Sequence, residues 1–279
     1  VSNLVKLLRE SLFVCFLYFF VCFSVQSQSL SKAKELLDQE KTSEAIEIMQ
    51  EILISTTDPG RQAEIQAAIG WAFVKSGNYA SAEEHLQISL NKASSINKTD
   101  IAIRAINNLG IVYYLQNKLD ESRAYFQQEL VAESETAIKY LALINVKEKE
   151  ILGEEALKLG VNKRYNKEFE DAIRQYDLSL TYLPKNPLTL DLKGYAQFRL
   201  GRYDEAIETL KLARDIDPNR PFIHLNLLKA SCKLNDTDKV QQVIEESKLS
   251  KEQFRTWLQV DGELRRVCGK NTGFIKAIE

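Results

Sequence analysis

Apolar side chains return along most of this chain at three- and four-residue spacings, in blocks separated by short polar turns. The clearest stretch lies between residues 186 and 219. Leu188, Leu192, Tyr195 and Phe198 form one series, Gly201 and Arg202 interrupt it, and Tyr203, Ala206, Ile207 and Leu210 resume it. That spacing predicts helix, tight turn, helix, and Pro218, which cannot continue a helix, ends the unit. The same pattern stands 34 residues earlier: Gly160 matches Gly194, Phe169 matches Tyr203, Ala172 and Ile173 match Ala206 and Ile207, and Pro184 matches Pro218. Such a period marks an architecture in which each unit is too small to bury its own apolar face and stacks on its neighbours. Gly194 and Ala206 are expected where the two helices of a unit approach closely. The chain reads as all-α.

The landmarks Gly194, Tyr203, Ala206 and Pro218 make this unit resemble the tetratricopeptide repeat, with Lys193 and Gln197 standing where that repeat usually carries Leu and an aromatic residue. The resemblance implies a right-handed superhelical solenoid of antiparallel helix pairs, about six repeats long with C-terminal capping helices. It also implies a concave groove lined by the first helix of each pair, which takes an extended peptide or a partner helix.

The same offsets divide the rest of the chain. Residues 28–133 form an N-terminal array of about three repeats. The first is weak (Ala33, Leu36, Ala45, Met49), the second clear (Gly70, Phe73, Gly77, Tyr79, Ala82, Leu86), and the third has Ser122 in place of the small Ala. Ala82 and Ser122 stand 40 residues apart, so the surplus between Ser89 and Asp100 is either about one extra helical turn or a longer loop. Residues 134–149 predict an extra connecting helix, as a rigid spacer or a hinge. Residues 150–249 form a C-terminal array of about three repeats. Its sixth unit is degenerate, with Leu228 and Val240 at the close-contact positions, as befits a terminal repeat. Residues 250–279, with Phe254, Trp257, Leu264 and Phe274, are a capping segment.

Residues 1–27 differ in kind. Lys6 and Arg9 precede an apolar run from Leu12 to Val25, which is short for a membrane span and fits the core of a secretory signal cleaved near Ser27. The expectation is an exported protein, periplasmic or secreted, with membrane attachment only if that segment is retained. Cleavage leaves Cys232 and Cys268, which can pair as a disulfide between the last repeat and the tail or pack unpaired as small apolar residues.

Composition is that of an ordinary soluble protein: 279 residues, 44% hydrophobic, 27% charged, net charge −2, which offers nothing to attract nucleic acid. All five prolines (Pro59, Pro184, Pro187, Pro218, Pro221) fall at unit junctions. Charge does single out the expected groove lining: Trp71, Lys75, Arg104, Asn107, Asn108, Tyr114, Lys158, Arg164, Tyr165, Asp191, Tyr195, Phe198, Arg199, Asn226, Lys229 and Lys233. With Glu64 and Glu154 included, this face holds seven basic and three acidic residues in a chain that is net acidic. A mildly basic, aromatic-studded groove should prefer a protein or peptide partner that is acidic or ends in a free carboxylate.

Catalytic constellations are missing from the sequence. There is no zinc-protease histidine pair, nucleophile elbow, phosphate loop or paired-glycine dinucleotide loop, and no Cys/His cluster for zinc. His85, among Glu83, Glu84 and Gln87, reads as a surface residue, whereas His224 falls on the first helix of the sixth unit, within reach of a ligand. No catalytic residue, cofactor or metal is expected. Asn97 and Asn235 each begin an Asn-x-Thr glycan acceptor pattern. Together these readings predict a non-catalytic scaffold or adaptor of the cell envelope, with an accessory subunit of an envelope enzyme or assembly machine, or a membrane-anchored form, as the alternative.

Overall fold

A computed structural model describes residues 29–279, so the expected signal segment 1–27 lies outside the described residues. All regular structure among the described residues is helical. The helices are α1 (residues 29–38), α2 (Thr42–Ser55), α3 (Pro59–Lys75), α4 (Tyr79–Ser95), α5 (Thr99–Leu115), α6 (Leu119–Phe126), α7 (Glu135–Tyr165) and α8 (Phe169–Tyr182). They continue as α9 (Pro187–Arg199), α10 (Tyr203–Ile216), α11 (Pro221–Leu234), α12 (Thr237–Ser247), α13 (Lys251–Val260), α14 (Gly262–Cys268) and α15 (Thr272–Ile278). The chain divides into two compact units, one ending at Asn145 and one running from Val146 to Glu279, and the division falls inside α7.

In the first unit three helix pairs stack through apolar faces that none could bury alone. Ala33, Leu36, Ala45 and Met49 of the first pair pack on Ile65, Ile69 and Ala72 of α3. Val74, Ala82 and Leu86 then meet Leu109 and Val112 of α5. The surplus in the 40-residue spacing is helix rather than loop, because α3, α4 and α5 are each 17 residues long and joined by short turns. The third pair departs from the pattern. Its second helix, α6, stops after 8 residues, and residues 127–134 form turns around the buried Val131. The buried Ser122 donates its hydroxyl to the Gly110 carbonyl at 2.8 Å, which satisfies the polar group that replaces the expected Ala.

In the second unit the last turns of α7 pair with α8, followed by α9 with α10 and α11 with α12. Residues 134–149 do not form a separate helix. No breaker interrupts them, and they run on into the first helix of the fourth pair as one 31-residue element. Gly160 and Gly194 mark the closest approaches within pairs. A Cβ on Gly160 would stand 2.6 Å from the Tyr176 ring, and one on Gly194 would stand 2.5 Å from Leu210. The small residue therefore receives a large side chain from the next helix, rather than admitting the backbone at Ala206.

One turn design links the two helices of the first five pairs. A residue with positive φ (Glu40, Gly77, Asn117, Lys167, Gly201) ends each first helix. The next residue donates its backbone N–H five residues back, as Asn78 does to Phe73 at 3.0 Å and Arg202 to Gln197 at 3.0 Å. Pro59, Pro187 and Pro221 open α3, α9 and α11, where their missing N–H costs no helical bond.

The capping segment belongs to the core of the second unit. Phe254, Leu264, Cys268 and Phe274 are fully buried with Leu227, Leu228 and Val240, each large apolar side chain contributing roughly 1.5–3 kcal/mol. Leu228 and Val240, too large for a repeat interior, are thus covered by the tail. Cys232 of α11 and Cys268 of α14 are joined in a disulfide with their Cα atoms 5.4 Å apart.

Candidate functional site

The first helices of the second unit bring cations and aromatic rings to one place. Asp191, Tyr195 and Arg199 follow one another at four-residue spacing on α9, so they share a face. Arg164 and Tyr165 end α7 beside them. The Arg164 guanidinium lies 4.7 Å from the Tyr165 ring centre and 5.8 Å from that of Tyr195. Arg199 lies 4.8 Å from the Phe169 ring and 5.8 Å from the Tyr195 ring, and donates to the Tyr195 hydroxyl at 3.1 Å. The result is a row in which guanidinium groups alternate with aromatic rings. The nearby rings favour the guanidinium charge, and Arg199 directs its donors at the Tyr195 hydroxyl at 3.1 Å and towards Glu263 at 3.8 Å. Hydrogen bonding to Tyr195 raises the Arg199 pKa, against a smaller opposing effect of burial, with Tyr195 and Glu263 adding electrostatic support. Tyr165 is 71% exposed.

Three expected lining residues are not on the surface. Asp191 is buried, accepts from the Asn226 side chain at 2.8 Å and lies 3.9 Å from Arg220, bracing α9 against α11. Burial pushes its carboxyl above the usual range, while Asn226, Arg220 and Arg164 pull it back. Phe198 is buried and packs between Tyr195 and Tyr203. Lys229 is buried and carries two carboxylates of the capping segment, Asp261 at 2.7 Å and Glu263 at 3.2 Å. Burial works against the Asp261 charge, but Lys229 and the N–H groups of Leu264 and Glu263 outweigh it, so its pKa lies below the ordinary value. Lys158 and Lys233 are exposed.

In the first unit several expected residues contact their own chain, while Lys75 and Arg104 stay exposed. Trp71 is half-buried against two apolar clusters, and Lys75 donates to the Leu37 carbonyl at 3.3 Å. Arg104 pairs with Asp100 one turn back at 3.6 Å. Asn107 accepts from Ser134 at 3.3 Å, Asn108 is half-buried, and Tyr114 sets its edge against Tyr140 at 5.3 Å.

Both histidines have structural surroundings. His85 is not a solvated surface residue: it stacks on Phe73 at 5.4 Å and its Nδ1 meets the Gln66 amide oxygen at 2.5 Å, and burial lowers its pKa against the pull of Glu84. His224 is buried and its Nε2 meets the Pro218 carbonyl at 2.7 Å, closing the turn before α11. Asn97 and Asn235, the glycan acceptor positions, are exposed turn residues with positive φ. Among the described residues no group of His, Cys, Asp and Glu could hold a metal ion, and no helix is long and apolar enough to cross a membrane.

The sequence reading missed Phe169, Arg220, Asp261 and Glu263. Phe169 was legible only as a turn landmark. Arg220 lies in a junction, and the two carboxylates lie in the tail, beyond the repeat whose period assigned the other faces.

Two family models, both described as tetratricopeptide repeat, match residues 61–130 and 157–221. Among solved structures, the TPR2AB domain of yeast Sti1 in its pHSP90 complex is 15% identical at a TM-score of 0.41, covering 92% of this chain and 99% of that one. A tetratricopeptide repeat protein from Parabacteroides merdae is 10% identical at a TM-score of 0.32, covering 84% and 97%. MamA from Desulfovibrio magneticus is 15% identical at a TM-score of 0.31, covering 72% and 97%. No curated protein matches in sequence.

Proposed function

On the premise that this chain is a tetratricopeptide-repeat protein, and so a protein–protein interaction scaffold, we propose that it works without catalysis and holds an acidic peptide segment, or a free C-terminal carboxylate, of a protein partner against the α7–α9 face. The observation that carries this reading is the row of Tyr165, Arg164, Tyr195, Arg199 and Phe169. Its guanidinium groups suit carboxylates, and its exposed Tyr165 ring suits an apolar side chain beside them. A partner gripping one face by a few charge-assisted bonds would bind in a salt-sensitive way.

The experiment is fluorescence anisotropy of a labelled glutamate-rich peptide and a lysine-rich control, titrated with the wild-type chain and with the Arg164→Glu, Arg199→Glu double variant. Wild type should bind the acidic peptide alone, and the variant should bind it at least about tenfold more weakly, since each charge-assisted bond contributes about 1.5–3 kcal/mol, while helicity by circular dichroism stays unchanged. Equal binding by a folded variant would refute the assignment.

We further infer an exported setting in the cell envelope. The Cys232–Cys268 disulfide supports an oxidising compartment, and the apolar run from Leu12 to Val25 has the character of a signal. Intact-mass measurement of the protein from its source decides: a chain starting at or near Gln28 supports cleavage, and one retaining Leu12 to Val25 contradicts it.

A further inference from the structure

At the end of the α9–α11 face, a carboxylate of the chain itself lies among cations from three helices. Glu263 stands 3.2 Å from the Lys229 ammonium of α11, 3.8 Å from Arg199 Nε of α9 and 3.8 Å from an Arg266 nitrogen of α14. The Glu263 and Lys229 side chains are 17% and 6% exposed, whereas those of Arg199 and Arg266 are 36% and 75% exposed, so the junction is shielded from screening salt on its Lys229 side and open to water on its arginine side.

The two carboxylates there have different duties. Asp261 bonds Lys229 through one oxygen, and with the other accepts the N–H groups of Glu263 at 2.9 Å and Leu264 at 2.8 Å, capping α14. It is fixed by the fold. Glu263 contributes ion pairs alone, so rotation about its own side-chain bonds takes it out without moving the backbone. The segment that carries it stays in place, held by the buried Phe254, Leu264 and Phe274 and by the disulfide.

We propose that Glu263 is a built-in occupant of a carboxylate site formed by Lys229, Arg199 and Arg266, and that an acidic side chain of the partner takes its place. The proposal rests on the acidic-partner reading above and adds its regulation. Once Glu263 turns out, Arg199 and Arg266 lose their only carboxylate within 4 Å among the described residues, and the enclosed Lys229 keeps one of two. The enclosed Lys229 strongly favours an anion beside it, and the exposed arginines admit a second carboxylate as Glu263 turns out. Glu263 thereby sets a threshold: a weakly acidic segment fails to displace it, and a segment with closely spaced carboxylates reaches both this site and the neighbouring Arg164–Arg199 row. This is selectivity by competition with an internal group.

The test uses the full chain in two arms. In the first, melting of wild type, Glu263→Ala and Glu263→Ala with Lys229→Gln is compared in sodium acetate and sodium chloride at equal ionic strength. Acetate should raise the melting temperature of Glu263→Ala, relative to chloride, by more than its general stabilising effect on wild type and on the double variant. An acetate shift of Glu263→Ala no larger than that of wild type would overturn the site. In the second arm the glutamate-rich peptide is titrated into wild type and Glu263→Gln, which keeps the side-chain shape and removes the competing charge. Glu263→Gln should bind roughly five- to tenfold more tightly, the worth of about one well-placed ion pair, and Lys229→Gln should cancel the gain. Equal affinity of wild type and Glu263→Gln would overturn displacement while leaving the partner reading intact. Binding by neither protein would overturn the partner reading, and the acetate arm would then decide the site by itself.

Discussion

Gly160 shows how much a single missing methyl group contributes to the helix pairs. Alanine there would gain about 1 kcal/mol of helix propensity. Its Cβ, however, would press within 2.6 Å of the Tyr176 ring, which is fully buried and rigid, and overpacking of that kind costs about 1–3 kcal/mol. Gly194→Ala meets the branched end of the buried Leu210 instead, which unlike a ring can change rotamer. Gly160→Ala should therefore lower stability by up to about 2 kcal/mol, and Gly194→Ala by less, in urea denaturation. Equal losses would contradict the argument from ring rigidity. The sequence marked both glycines as packing positions through their period, but could not say which side chain each would receive. The turns were legible in the same uneven way. Gly77 and Gly201 advertise a left-handed residue, whereas Glu40 and Lys167 adopt the same φ with nothing in their chemistry to announce it.

Helices followed their breakers closely, and the departures have physical causes. The prolines open α3, α9 and α11. The continuity of α7 was hidden because the repeat offsets suggested a boundary near residue 150 where the sequence has no breaker. Gly153 and Gly160 do not interrupt that helix, since Leu183 and Tyr176 fill the space they leave. The capping helices depend on long-range ties: the disulfide closes a loop between positions 36 residues apart, for which chain entropy gives about 3–4 kcal/mol. Cys232→Ser with Cys268→Ser should lower stability by about that much, and amide hydrogen exchange should quicken first in α13 to α15. Uniform quickening across the second unit would show that the tail and repeats unfold as one. Acid should act on the same segment. The Asp261 pKa is depressed in the folded chain, so its contribution is complete above the unfolded value of about 3.9 and is lost as pH falls through the folded value.

For the molecule as a whole, repetition made the architecture legible and the tail made the site less so. Period assigned the first-helix faces of both units, and Arg164, Tyr165, Tyr195 and Arg199 do come together. It treated every basic residue on those faces as available, yet Lys229 is enclosed by Asp261 and Glu263, 32 and 34 residues downstream. Arg104 pairs with Asp100 on an exposed face and Lys75 reaches the Leu37 carbonyl. The proposed site is the face of the second unit where aromatic rings accompany the cations. The measurement that tests this most directly is hydrogen–deuterium exchange of the full chain with and without the glutamate-rich peptide at low salt. Protection should be concentrated at residues 161–169 and 191–199 and be lost in the Arg164→Glu, Arg199→Glu variant. Protection confined to α3 and α5, or to the second helices α8 and α10, would contradict it.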